Sequence, residues 1–209
     1  MNEEDYIATH IDAEPEVLRR LYRDTHLHRL YPRMCTDHLQ GRLLVMLTKM
    51  IRPQHILELG TFTGYSTLCF AEGMPKGCTI DTVEIDDDYS DDLRALFSHA
   101  APLCDITLHI GDAEKIVPEL IEKRNYDLVF IDANKRRYPQ YYHALIEKLP
   151  AGAIILADNT LWTEKVLNDD SHDAQTNGIR QFNEIVANDN RVEKVILHIR
   201  DGLTIIRKK

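Results

Sequence analysis

Two short acidic clusters carry the chemistry that is legible in this sequence. Phe130-Ile131-Asp132 and Ala157-Asp158-Asn159 each close an apolar run that reads as a buried β-strand. Each therefore sets carboxylate or amide oxygens at a strand's carboxyl end, where open α/β sheets bind ligands. Neighbouring strands lie about 4.8 Å apart. Two such tips on adjacent strands can offer Asp132, Asp158 and Asn159 to one hard cation, with coordination positions left over for a substrate. A lone strand-end aspartate is ordinarily a cap or half of a salt bridge; two of them with Asn159 alongside weigh against that reading.

A second group of residues points to a nucleoside. Ile56 to Ser66 runs from a strand through a turn bearing Gly60 and Gly64 into a helix, and glycines there allow backbone conformations and close approaches that a side chain would block. The turn lacks the second glycine of the dinucleotide fingerprint, the one that admits a pyrophosphate, so a ligand without phosphates fits better than NAD. Glu84 ends the next strand, where an acidic side chain can accept hydrogen bonds from ribose hydroxyls. Gly111-Asp112-Ala113 ends the third and is placed to flank an adenine. Asp86, Asp87 and Asp88 read as capping residues at a helix start.

The elements that must position these groups alternate along the chain. Strands are expected at His55–Leu59, Thr79–Glu84, Ile106–Ile110, Leu128–Asp132 and Ala153–Ala157. Helical spacing runs through Ser66–Glu72, Asp87–His99, Ala113–Glu122 and Tyr138–Leu149, with Gly73, Pro102 and Gly152 as breakers. This predicts an α/β fold, a Rossmann-like doubly wound sheet with helices on both faces. Two amphipathic helices, Glu14–Leu30 and Asp37–Ile51, precede it, and Gly178–Ala187 follows the fifth strand. Val192–Ile199 and Leu203–Arg207 joined at Asp201-Gly202 read as a hairpin. The sheet would then have seven strands, mostly parallel with a C-terminal antiparallel hairpin. A chain of 209 residues fits one domain of this kind, with N-terminal helices over 1–52 and the core over 53–209.

A hydrophobic fraction of 44% and a charged fraction of 28% are those of an ordinary globular protein. No basic and apolar leader and no span of about 20 apolar residues is visible, which points to a cytoplasmic protein with no membrane partner. Cys35, Cys69, Cys78 and Cys104 are scattered, against both a zinc site and a disulfide framework. The net charge of −9 disfavours a broad nucleic-acid-binding face. Lys135-Arg136-Arg137 is nevertheless a local basic patch, whereas Arg207-Lys208-Lys209 reads as a solvated tail. His26 and His28 lack metal-ligand spacing and read as helix-surface residues.

Taken together, these stretches resemble the cation-dependent O-methyltransferase family, the group of caffeoyl-coenzyme A and catechol O-methyltransferases and their small bacterial relatives. Glu58 to Ser66 resembles its first S-adenosylmethionine motif, Val83-Glu84-Ile85-Asp86 its ribose motif, and Phe130 to Lys135 its catalytic stretch. Ala157 to Trp162 resembles its second metal motif, and Gly178 to Asn183 the helix that follows. The resemblance implies that Asp132, Asp158 and Asn159 hold a divalent cation, with Mg²⁺ preferred and Mn²⁺ or Ca²⁺ as alternatives, and that Lys135 is the general base. It implies an S-adenosylmethionine site lined by Met34, Ser66, Glu84, Asp112, Ala113 and Asp132, with Glu58 and Gly60 beneath the methionine part and Phe62 or Tyr65 nearby. A homodimer is implied as well. Asn134 stands where animal catechol enzymes carry tryptophan and plant caffeoyl-coenzyme A enzymes usually carry aspartate. The acceptor is accordingly left between a catechol-like or caffeoyl-type aromatic and, as the alternative, the 5-hydroxyuridine of a tRNA anticodon loop. A non-catalytic nucleotide-binding module would have no use for the cation ligands.

Overall fold

Runs rich in aliphatic and β-branched residues form β1 (His55–Leu59), β2 (Thr79–Glu84), β3 (Asp105–Ile110), β4 (Leu128–Ile131), β5 (Ile154–Asp158), β6 (Val192–Leu197) and β7 (Leu203–Lys208). In the computed structural model, which describes residues 2–101 and 103–209, they pair into one sheet ordered β3-β2-β1-β4-β5-β7-β6. The first five strands are parallel, and β7 runs antiparallel to both β5 and β6. Strand order reverses between β1 and β4, the kind of crevice in which open α/β sheets bind ligands. Leu59 pairs with Ile131 and Ile131 with Ala157. One residue further on, Gly60, Asp132 and Asp158 therefore leave three adjacent strands side by side.

Helices cover both faces, so β4 is apolar throughout and β1 and β5 are largely so, rather than alternating. On one face α2 (Glu16–His28), α3 (His38–Ile51), α4 (Tyr65–Gly73) and α5 (Ser90–Ala100) bury Leu18, Leu44, Phe70 and Phe97 against Ile56, Phe130 and Leu156. On the other, α6 (Ala113–Lys123), α7 (Tyr138–Lys148) and α8 (Ala174–Asn188) bury Val117, Tyr142 and Phe182 against Leu57, Val129 and Ile155. No helix among the described residues is long and apolar enough to cross a membrane.

The expected seven-stranded, mostly parallel sheet and its C-terminal antiparallel hairpin are present, with three differences in detail. Helix α1 (Glu3–His10) was not expected; Asn2 starts it by accepting from the Asp5 amide at 2.7 Å, and a single box of polar residues gives little periodicity to read. Helix α8 begins before Gly178, because Asp173 accepts from the Gln175 and Thr176 amides and caps a further turn. The C-terminal basic run is not a solvated tail. Lys208 closes β7 and donates to the Ile146 and Leu149 carbonyls at 2.8 and 2.6 Å, completing the end of α7, while Arg207 pairs with Glu193 at 2.9 Å. Pro102, expected as a breaker, lies outside the described residues. The four cysteines are free, as expected, although the β2/β3 register brings the Cys78 and Cys104 sulfurs to 3.4 Å.

Candidate active site

The turn after β1 is shaped by Gly60 at φ +98° and Gly64 at φ +84°. A Cβ on Gly60 would strike the backbone carbonyl of Asp132, so only glycine lets the turn lie against the tip of β4. The turn is held from below and from the side. Glu58, fully buried, accepts from the hydroxyls of Ser66, Thr67 and Thr82 at 2.6, 2.5 and 2.6 Å. Burial nevertheless outweighs those three bonds and raises its carboxyl to about 7. Glu84 accepts from the Phe62 amide at 2.6 Å and the Asp86 amide at 3.0 Å, which orients it while leaving lone pairs free for a ligand. The Gly111 amide bonds the Glu84 carbonyl at 2.7 Å, placing Asp112 and Ala113 at the neighbouring tip, where Asp112 caps α6. Asp86 caps the short turn Asp87–Tyr89 by accepting from the Asp88 amide, as expected of that acidic run.

Expected cofactor residues thus converge on one edge of the sheet, but in different capacities. Gly60, Glu84, Asp112 and Ala113 frame the turn and the two tips beside it. Glu58 and Ser66 lie beneath, closed off from solvent and bonded to one another, so they support the turn from inside. Met34 ends the short turn Pro32–Met34 and is 55% exposed; the next residue, Cys35, contacts Thr63 within the glycine turn. Phe62 packs edge-on against Tyr89, and the buried Tyr65 donates to Glu14 at 2.6 Å.

Asp132 follows β4 directly, its amide bonded to the Leu59 carbonyl at 2.8 Å. Lys135, nearly buried, donates from Nζ to Asp132 Oδ1 at 2.5 Å, and its ammonium lies 5.2 Å from the Tyr138 ring centroid and 6.0 Å from that of Trp162. The short turn Lys135–Arg137 that carries it packs under Gly178 of α8, where a Cβ would come within 2.5 Å of the Lys135 carbonyl. Asp158 ends β5, 2% exposed, and accepts from the Asn159 amide at 2.9 Å. Burial, and then the neighbouring charge of Asp132, raise its carboxyl to about 6. Asn159 follows at φ +58°, a left-handed conformation that asparagine tolerates better than most residues.

Several contacts that organise the site gave no signal in the sequence, although Thr160 to Trp162 and Arg180 lie in stretches that carry the family resemblance. The buried Tyr138 hydroxyl lies 3.0 Å from both the Ile131 and the Asp158 carbonyls and clamps the two strand ends together. Thr160, Leu161 and Trp162 hang from the β6–β7 turn through amide bonds to the Gly202 and Asp201 carbonyls. Arg180 donates to the carbonyls of Lys165, Val166, Asn168 and Ser171, organising the loop beyond. Each is a distant polar contact, which periodicity does not encode. The basic triplet, read as one patch, is divided: Lys135 points inward, Arg137 pairs with Glu114 at 3.1 Å, and Arg136 is exposed. His26 and His28 are exposed on α2, as expected. Two clefts of about 430 and 500 Å³ run along α2 beside α4 and α5, away from these strand tips.

The donor set passes a chemical test for a hard divalent cation. All the side-chain donors are oxygens, and two carboxylates crowd together, one of them buried and destabilised by the other's charge. A dication relieves that repulsion.

The chain matches the O-methyltransferase family over residues 8–209. It is 33% identical over 204 residues to a caffeoyl-CoA O-methyltransferase of Stellaria longipes, covering 93% of this chain and 84% of the relative. It is 32% identical over 162 residues to a catechol O-methyltransferase of Niastella koreensis, covering 77% of this chain and 73% of the relative. The crystal structure of the O-methyltransferase TomG from Streptomyces achromogenes, in complex with SAM, superposes with a TM-score of 0.89 at 27% identity and covers 100% of both chains.

Proposed function

The chain belongs to the O-methyltransferase family, and from that premise we propose that it moves a methyl group from S-adenosylmethionine to one hydroxyl of a vicinal-diol aromatic, catechol-like or caffeoyl-type. Asp132, Asp158 and Asn159 would hold a divalent cation, Mg²⁺ before Mn²⁺ or Ca²⁺. The observation that carries this reading is the meeting, at the sheet's switch point, of the glycine turn with two crowded carboxylates and the inward-turned Lys135.

A bound cation supplies a template for two neighbouring oxygens and a Lewis acid that lowers the cost of the oxyanion. The chain's own residues do the rest. A free phenol, of pKa about 10, is mostly protonated at neutral pH. Lys135 Nζ is proposed as the base that would take that proton. The freed oxygen then forms its bond to the methyl carbon as the S–C bond breaks, turning sulfonium into thioether. Glu84 would hold the ribose end of the cofactor, and Gly60 would leave room for its methionine part. Holding both reactants in line can account for about 7–11 kcal/mol of the barrier.

A tRNA acceptor has less support, since the inward Lys135 and the paired Arg137 leave Arg136 to meet phosphate. The chain is proposed to act in the cytoplasm as a homodimer, with the single-domain division at residue 52. Leu39, Met46 and Met50 form an exposed apolar stripe on α3 that would suit a twofold contact. Methylation of 3,4-dihydroxybenzoate in EDTA, with and without added Mg²⁺, tests the central reading. Activity should vanish in chelator and return with the cation. Undiminished turnover in EDTA overturns the cation's part.

A further inference from the structure

The pairing of β2 with β3 sets two cysteines side by side at the end of the sheet opposite the glycine turn. Thr79 is in register with Asp105, and the Asp105 amide donates to the Cys78 carbonyl at 3.1 Å, so Cys78 and Cys104 each stand one residue before that pair. Residues level with each other on neighbouring strands lie about 4.8 Å apart, within the Cα separation of about 4.4–6.8 Å that a disulfide spans. Both thiols are free, and their sulfurs are 3.4 Å apart. A bond of about 2.05 Å needs side-chain rotation and an approach of about 1.4 Å rather than a rearrangement of the strands. The other two cysteines lie elsewhere, Cys35 against Thr63 and Cys69 beside Gly41.

The paired sulfurs differ in access. Cys78 is 1% exposed, whereas Cys104 is half-buried and lines the cleft of about 430 Å³ beside α2. An oxidant small enough to enter that cleft meets Cys104 first, with Cys78 already in place behind it.

We propose that Cys78 and Cys104 form an oxidation site, a dithiol that a peroxide closes into a disulfide between β2 and β3. The Cys104 sulfur, as thiolate, attacks one peroxide oxygen; the O–O bond breaks, hydroxide leaves, and the sulfur is oxidised to a sulfenic acid as the peroxide is reduced. Cys78 Sγ then attacks that sulfur, the S–O bond breaks, and water departs with the thiol proton. Two thiols and one hydrogen peroxide thus give one disulfide and two waters. Burial, and then the Cys78 thiol beside it, raise the Cys104 thiol above its ordinary pKa, so the first step sets the pace. In a reducing compartment the pair stays open.

The consequence falls on the sheet's edge. Strand β3 is the outermost strand, and the bond staples it to β2, closing a covalent loop that contains β2 and α5. Such a loop restricts the unfolded chain and so stabilises the folded one. Glu84 and Ile110, at the far ends of the same two strands, keep their register.

Folded full-length protein treated with hydrogen peroxide, alkylated in denaturant and digested without reduction gives the test by mass spectrometry. Wild type should yield the Cys78 and Cys104 peptides linked, two hydrogens lighter than their sum, with Cys35 and Cys69 alkylated. Dithiothreitol should reopen the bond and lower the Tm of the oxidised protein by roughly 5–10 °C. Cys104→Ser treated in the same way should show neither the link nor the dithiothreitol-dependent fall. Wild-type Cys78 and Cys104 that stay unlinked, whether as thiols or with Cys104 carried on to sulfinic acid, overturn the proposal, and this arm needs no variant to fold. A link that forms only in urea overturns it too, as does a Tm that dithiothreitol leaves unchanged or raises, or an equal fall in Cys104→Ser.

Discussion

Replacing Glu58 with glutamine should abolish a specific pH dependence of stability. The carboxyl sits under the glycine turn with no exposed surface, and burial raises it from its ordinary 4.5 to about 7 despite three hydroxyl donors. A folded-state pKa above the unfolded one means that the folded chain holds the proton more tightly. The associated stability is fully present below pH 4.5 and is lost as the pH rises through about 7. At about 1.36 kcal/mol per pH unit, the gap is worth about 3 kcal/mol, with no discount for solvent at a site this enclosed. Glutamine keeps the shape, and the hydroxyls of Ser66, Thr67 and Thr82 can rotate to accept as well as donate. Urea unfolding of both proteins between pH 4.5 and 8.5, without metal or cofactor, gives the comparison. The stability of Glu58→Gln minus that of wild type should climb by about 3 kcal/mol across the range, and the difference removes contributions common to both, including Asp158. Parallel curves, or a difference of the opposite slope, would show that the three hydroxyls outweigh burial.

Three further substitutions separate the parts of the site. Gly60→Ala meets both the positive φ and the Asp132 backbone and should cost about 2–4 kcal/mol, read as a fall in Tm of roughly 5–15 °C; an unchanged Tm contradicts the close approach. Glu84→Ala removes the Phe62 amide's acceptor as well as the proposed ribose contact, so calorimetry should show S-adenosylmethionine binding weakened by about 1–3 kcal/mol; equal affinity removes Glu84 from the cofactor site. Lys135→Ala should lower kcat by about 10²–10⁴ while Mn²⁺ and S-adenosylmethionine still bind, and an unchanged kcat under chemistry-limited conditions removes the base.

What could be read from the sequence divides along a physical line. Strand tips were legible because an apolar run ending in Asp132 or in Asp158-Asn159 has one consistent placement in a parallel sheet, and register then brings neighbouring tips together without further information. The hairpin was legible from Asp201-Gly202 between the two runs Val192–Ile199 and Leu203–Arg207. Contacts closed over long sequence separations were not. Arg200 reaching Gln40, or Lys208 reaching the end of α7, depends on where whole elements dock, and a local window sees only a charged residue in a turn or a basic tail. Glu58 shows the same limit at closer range. Its place in the glycine motif was plain, whereas its enclosure by Ser66, Thr67 and Thr82 required β2 to be laid alongside β1.

Glu58 and Asp158 together show what the sheet concedes at this edge. Both are buried acids with raised folded-state pKa values, about 7 and about 6, so both subtract stability as the pH climbs toward neutrality. A fold under pressure only to be stable would place apolar residues there, as it does one residue earlier at Leu57 and Ala157. Glu58 is one residue short of the end of β1 and Asp158 ends β5, where Tyr138 clamps the carbonyls of Ile131 and Asp158. Because a ligand that binds only the folded state stabilises it by mass action, a cation engaging Asp158 would recover part of the loss in the pH range where Asp158 ionises. Mn²⁺ should accordingly raise the wild-type Tm more at pH 8 than at pH 5, and Asp158→Ala should erase that difference while leaving a folded protein; a cation effect equal at the two pH values would mean that Asp158 is not where the ion binds.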